Sequence, residues 1–248
     1  MAGLSLGMLT LSPIQVPKAA DVLADSLREQ ILDGRLRVGA ILPNERDLAE
    51  RAGLSRASVR EALRILEVEG LIATRTGRNG GSEVIRPSLA TIERTIGIFI
   101  RGQNIRLASV LEVREAIEPH AARLAALHRT EQDLAKLNEC HQRLVQQIDD
   151  VAAFLRANLD WHVSVVLAGH NELLSAFVGA FAQTVYQATD LQEFSPPEIR
   201  KTVARAHESV MDAIQAGDAD AAWRRMARHV GAYVHRVNEV GPSGMPSV

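Results

Sequence analysis

The sequence has one cysteine, Cys140, in 248 residues. No internal disulfide can form, and no cysteine cluster can hold a metal. Helical apolar spacing around Cys140 marks it as a core or boundary thiol. No apolar stretch approaches the roughly 20 residues of a membrane-spanning helix, so no membrane partner is expected. The opening MAGLSLGMLTLSPIQVP is mildly apolar but has no basic flank, so no signal peptide is predicted and a reducing cytoplasm fits. Neither sign of charge is in excess: 28 Lys and Arg face 30 Asp and Glu, net −2. Any contact with nucleic acid must therefore rest on local charge. Internal repeats and low-complexity segments are absent. Aromatics supply only 4% of the chain, yet the hydrophobic share of 46% is enough for a core. Ala, Leu, Val and Arg dominate, which favours helix over sheet.

The apolar periods divide the chain. Residues 1–17 read as a flexible tail. A first amphipathic helix is predicted from about Ala20 to Leu32, a second over Asn44–Ala52 with Asn44 as cap, and a third over Ser55–Glu69. Ala40, Ile41 and Leu42 read as a short extended piece between Gly39 and Pro43. Residues 71–75 and 82–86 flank the loop Thr76 to Gly81 and read as a β-hairpin. Three helices and a hairpin make a winged helix-turn-helix over 18–86, ended by Pro87. From 88 to 240 the periods are helical almost throughout, and about seven helices are expected: 88–102, 105–128, 130–148, 151–169, 171–190, 196–216 and 218–239. Pro119 should kink its helix or lie near a helix start. Residues 241–248 read as a disordered tail. The fold class is mainly α: a winged helix-turn-helix followed by an all-α bundle.

The helix-turn-helix carries chemistry. The turn Ala52-Gly53-Leu54-Ser55 leads into a helix that presents Arg56, Ser58 and Arg60 near its start and buries Val59, Leu63 and Leu66 behind them. Such a helix in the DNA major groove offers Ser55 and Ser58 to phosphate, and Arg56 and Arg60 to guanine O6 and N7. Arg46 on the preceding helix can reach the same groove or its rim. The wing adds Arg78 and a backbone made pliant by Gly80. After residue 87 there are 16 basic and 19 acidic residues, a poor nucleic-acid surface. The alternative for each arginine is a solvated face paired with Asp47, Glu50 or Glu61.

The ordered string Leu42-Pro43-x-Glu45-Arg46-x-Leu48-Ala49, Ser55-Arg56-x-Ser58-Val59-Arg60-Glu61-Ala62-Leu63, then Glu69-Gly70-Leu71 and a glycine-rich wing, resembles the winged-helix domain of the GntR family of bacterial transcription regulators. The resemblance implies that Arg46, Arg56 and Arg60 read a short palindrome while the wing enters the minor groove. Asn44, Val38 and Ala57 depart from the usual pattern, and Ala57 removes a hydroxyl that would meet phosphate.

Three of the eight histidines belong together. Asn158 and His162 are four apart and share a helix face; His207 and His229 lie on the last two helices. Imidazoles projecting inward from separate helices can hold a divalent ion, zinc before nickel or manganese, whose open position attracts a carboxylate. Taken one at a time, each histidine is as well explained as a surface or core residue. Leu111-Glu112-x-Arg114-x-x-Ile117-Glu118, Ala121-Ala122-Arg123-Leu124-Ala125-Ala126, Asn158-x-x-Trp161-His162, Gly169-His170-Asn171, His207-x-x-Val210 and Met226-x-x-His229 resemble the FCD effector domain of the FadR subfamily. The resemblance implies a metal held by Asn158, His162, His207 and His229, with Asn158 standing where an aspartate is usual. It also implies an effector carboxylate on Arg114, with Asn171 at a matching family position. A salt bridge from Arg114 to Glu118 and helix capping by Asn171 explain those two residues equally well.

The expected function is a cytoplasmic homodimeric transcription regulator, a repressor rather than an enzyme. It binds a palindromic double-stranded DNA operator and answers to a small organic acid at the metal site. A metal-free sensor of an acyl-CoA or a sugar acid is the alternative. A three-histidine metalloenzyme is the remote one, because no general base is evident near His162 or His207 in the sequence.

Overall fold

In a computed structural model that describes residues 17–75, 81–189 and 196–240, the chain divides into two units, residues 1–88 and 89–248. The predicted tails at either end and the wing tip with Arg78 and Gly80 lie outside the described residues.

The N-terminal unit contains α1 (Ala19–Leu32), α2 (Glu45–Ala52), α3 (Arg56–Val68), β1 (Ile72–Arg75) and β2 (Gly81–Val84). Ala24 and Leu27 of α1 meet Val59, Ala62, Leu63 and Leu66 of α3 in one core, closed by Leu48, Leu71, Ile72 and Val84. The caps are written locally. Asn44 Oδ1 accepts from Asp47 N at 3.0 Å to start α2, and Ser55 Oγ accepts from Ser58 N at 3.1 Å to start α3. Gly53 between them has φ +66°, a left-handed value that a side chain resists, and it lets the chain turn in three residues. The strands pair antiparallel from Ile72↔Val84 to Arg75↔Gly81. A single bridge, Ile41↔Glu83, attaches the extended segment to the hairpin. Arg28 binds both carboxylate oxygens of Glu69, at 2.6 and 2.9 Å, and ties α1 to the end of α3.

The C-terminal unit holds α4 (Leu89–Gly102), α5 (Leu107–His128), α6 (Glu131–Gln146), α7 (Val151–Leu167), α8 (Glu172–Thr189), α9 (Pro197–Ala216) and α10 (Ala219–Val240). The ends differ from the sequence reading where caps intervene. Thr130 stands outside α6 in a reciprocal box with Asp133. Asp150 caps α7 through Ala153 N, and Gly217 at φ +73° closes α9. Pro119 lies well inside α5, so a helix start there is ruled out; its ring leaves the Glu115 carbonyl without the usual helix donor. Helix α5 packs against α7, α8, α9 and α10, and α4 lies on α8. The core joins Leu111, Ala122 and Ala125 of α5 to Trp161 and Val165 of α7, Val210 and Ile214 of α9, and Met226 and Val230 of α10. No helix among the described residues is long and apolar enough to cross a membrane.

Candidate metal centre and nucleic-acid interface

Helices α7, α9 and α10 each turn one histidine toward the same point. His229 Nε2 lies 3.1 Å from His207 Nε2 and 3.3 Å from His162 Nε2. One nitrogen from each ring falls within 4.8 Å of the others. Nitrogens that share a tetrahedral zinc at about 2.0–2.1 Å stand about 3.3 Å apart, so the spacing suits a shared ion. His207 is fully buried and stacks on Trp161, with centroids 3.6 Å apart and planes 7° from parallel. The indole fixes that ring's orientation.

Behind His162 stands Glu118 of α5. Its Oε2 is 2.7 Å from His162 Nδ1, close but not aligned as a well-directed hydrogen bond. A proton held on Nδ1 by that contact leaves Nε2 with its lone pair facing the other histidines. Arg114, one turn before Glu118, pairs with the same carboxylate through Nε and Nη2. Arg114 also lies 5.8 Å from the centre of the Tyr233 ring. Arg114 and Glu118 are both buried. Burial pushes the Glu118 carboxyl upward, but Arg114 and His162 outweigh it and hold it well below the usual range. Burial also drives the histidines toward the neutral form. His162 is lowered despite Glu118, His207 is lowered well below its ordinary value by burial and then by His229, and His229 falls to about 3 by burial and then by His162. Neutral imidazoles are the state that ligates metal.

Asn158 lies one turn before His162 on α7, and its Oδ1 is buried without a hydrogen-bond partner. A buried amide oxygen left unpaired is costly, and a cation at the histidine cluster would satisfy it. The residues present therefore fit a divalent metal: three neutral nitrogens, one uncommitted oxygen, and a buried carboxylate behind one ligand. Asn158, His162 and His229 also line a cavity of about 380 Å³, together with Arg114, Tyr233 and residues of α7, α9 and α10. Arg114 thus lines the cavity while paired with Glu118. Asn171 does not line this cavity. Its Oδ1 accepts from Leu174 N at 3.0 Å at the start of α8, the capping role that the sequence also offered. Glu118 is the functional residue whose second contact the sequence reading missed, because α7 and α5 meet only in the fold. It sits on the Nδ1 side of His162, facing away from the nitrogen cluster, where it cannot act as base on anything bound there.

In the N-terminal unit, Arg56 opens α3, and Arg60 and Arg64 follow at four-residue intervals on the same exposed face. Arg64 extends the stripe beyond the residues first singled out. Arg60 pairs with Glu45 through Nε and Nη2, at 2.9 and 2.7 Å. The partner is the first residue of α2, not Asp47, Glu50 or Glu61. Arg46 is largely exposed, 3.6 Å from Asp47. Ser55 and Ser58 face each other, their hydroxyls 2.9 Å apart.

Residues 19–80 match the family described as bacterial regulatory proteins, gntR family, and residues 109–232 match the FCD domain. The chain is 32% identical over 226 residues to an Escherichia coli K12 protein named for regulation of the L-lactate dehydrogenase operon, covering 88% of this chain and 85% of that protein. The chain belongs to the GntR family. Its other relatives include the Glc operon transcriptional activator of E. coli K12, 29% identical over 78% of this chain and 79% of the relative. The galactonate operon transcriptional repressor of E. coli K12 is 27% identical over 89% of this chain and 97% of the relative. Among solved structures, a GntR protein of Streptococcus agalactiae shares the fold, with a TM-score of 0.64 and 24% identity over 87% of this chain and 99% of that one. This GntR protein is a DNA-binding transcription regulator and not an enzyme, with a helical FCD domain.

Proposed function

We propose that this GntR regulator is a cytoplasmic homodimeric repressor that holds a divalent metal, zinc foremost, on Asn158, His162, His207 and His229 and senses an organic acid beside it. The observation that supports this reading is the convergence of three Nε2 atoms at one point, with His162, His229 and Asn158 lining the adjoining cavity and Asn158 Oδ1 buried without a partner. The bound metal supplies a positive charge to attract a carboxylate. Asn158 brings an oxygen but no negative charge, so the site keeps more of the cation's field for an anion than an aspartate would leave. Glu118 fixes the His162 ring, and Trp161 fixes the His207 ring. Arg46, Arg56 and Arg60, with Arg78 and Gly80 of the wing, read an inverted repeat, one half-site per protomer.

Two measurements test this. Untagged protein should carry about one divalent ion per chain by elemental analysis, and His207→Ala should lose it. The same protein should shift a short inverted-repeat fragment from beside its own gene at moderate salt. Full-strength, acid-responsive DNA binding by protein proven free of metal would overturn the metal reading and favour the metal-free sensor of an acyl-CoA or sugar acid.

A further inference from the structure

Three features of the C-terminal unit invite a role beyond the histidine cluster. The first is a second hollow lined by Glu93, Lys136, Arg143 and Asp160. Its buried thiol, Cys140, already contacts Ser164 and Arg143, and Arg143 is paired with Asp160 and Lys136 with Glu139, so no group there points to a particular ligand. The second is an exposed apolar strip with Ile98 and Phe99 on α4 and Leu173 on α8; nothing in the structure says what covers it. The third is the cavity wall beyond the histidines, and it carries an argument.

The cavity is far larger than a small hydroxy acid. At about 30 Å³ per water, its 380 Å³ would hold about a dozen waters. A three-carbon acid displaces only a fraction of them, and the remainder would stand against apolar groups. Those groups are ordered along the helices. Asn158 and His162 on α7 are followed, one turn toward the helix start, by Phe154 and Leu155. On α9, Ile199, Val203 and Ala206 face the same space. Phe154 and Val203 belong to one apolar cluster with Leu144, Ala157 and Ala204, so this end of the wall is continuous with a packed core. Most of the exposed wall is carbon. Of the polar groups on the wall, Arg114 is held by Glu118, Arg225 by the Ser209 carbonyl and Thr202 Oγ1 by the Glu198 carbonyl, and Arg228 joins them at the α10 side. A polyhydroxylated acid would strip water from its hydroxyls against Phe154, Leu155 and Ile199 and gain no partner there.

From this distribution we infer that the effector is a carboxylic acid with an apolar body, aliphatic or aromatic. Its carboxylate lies at the metal end and its chain lies against Phe154, Leu155, Ile199 and Val203. The inference rests on the organic-acid reading above and adds the class of acid.

The test is calorimetric titration of zinc-loaded full-length protein with acetate, butyrate, hexanoate and octanoate, and with L-lactate and galactonate. Burying one methylene strengthens binding about three- to fourfold. Affinity should therefore climb about tenfold per two carbons until the cavity is filled, and octanoate should bind well over tenfold tighter than lactate or galactonate. Leu155→Gln and Val203→Asn should flatten the series while the zinc content stays at the wild-type level. A flat series in the wild-type protein, or tighter binding of galactonate or lactate than of octanoate, overturns the inference and leaves the metal and organic-acid reading standing. Binding of no acid at all by the zinc-loaded protein overturns both. Metal content measured on each sample separates a lost site from a lost preference.

Discussion

Glu118 does two jobs that a single substitution confuses. It neutralises Arg114 in a buried setting, and it holds the Nδ1 side of His162. Removing it alone leaves the Arg114 guanidinium buried without its carboxylate, which costs about 3–5 kcal/mol in comparable buried pairs. Glu118→Leu should therefore lower the stability measured in urea by that order. Arg114→Met combined with Glu118→Leu should recover most of the loss, because no orphan charge remains. Metal affinity should separate the two roles. It should fall about 10- to 100-fold in both variants by chelator competition, since both lack the group behind His162. Full metal affinity in the stable double variant would show that the His162 contact is incidental. At this scale the sequence was half legible. The four-residue step from Arg114 to Glu118 announces their pair, but nothing along the chain announces that α7 will bring His162 to the other carboxylate oxygen. Asn171 shows the converse. A residue at a family position also has a sufficient local explanation in its cap on Leu174 N, and the chain alone does not choose between the two.

The recognition helix makes a prediction about geometry rather than charge. Glu45 takes one N–H from Nε and one from Nη2 of Arg60. That leaves both N–H groups of Nη1 and one of Nη2, the outer edge of the fork that would meet guanine O6 and N7. Glu45 thus aims Arg60 while adding a negative charge near the phosphates. Glu45→Ala should change stability by less than about 1 kcal/mol, as expected of an exposed pair. It should tighten binding to random DNA and reduce the ratio of operator to random affinity several-fold. Arg60→Ala should reduce that ratio further, by a factor corresponding to about 1–3 kcal/mol. Anisotropy titrations on both DNAs at matched salt read this directly, and an unchanged ratio in Glu45→Ala would mean that Arg60 leaves Glu45 on binding. Ser55→Ala should cost about 1 kcal/mol, because the cap on Ser58 N is lost. Elements of this kind are the most legible part of the chain. Gly53, Ser55, Thr130, Asp150 and Gly217 punctuate the apolar periods with residues whose local chemistry starts or stops a helix, so helix positions follow from short-range signals. The pairing of Arg60 with Glu45 does not, because the two residues lie on different helices and the angle of the turn brings them together.

On the scale of the whole molecule, and on the function proposed above (a metal-bearing homodimer that answers to an organic acid), the physical question is how an acid in the helical unit changes affinity for DNA in the other. An effector moves the equilibrium only by the difference in its affinity for the two states. The coupling is therefore reciprocal. If the acid weakens operator binding by some factor, operator DNA must weaken acid binding by the same factor, typically between about 5 and 150. Trp161 offers a probe for one arm, because its indole stacks on His207 and its emission should respond to what binds at that cluster. Titrating the zinc-loaded protein with acid, with and without saturating operator, gives one factor. Titrating it with labelled operator, with and without saturating acid, gives the other. Protein concentration must stay above the dimer dissociation constant in both arms, so that subunit exchange does not enter. Equal factors above unity are the expected result. A loss of DNA binding with no matching change in acid affinity would mean that the acid acts by some route other than its site, such as stripping the metal. Metal release into a chromogenic chelator, followed in the same titration, distinguishes that outcome, because a true effector leaves the ion on Asn158, His162, His207 and His229 while the DNA dissociates.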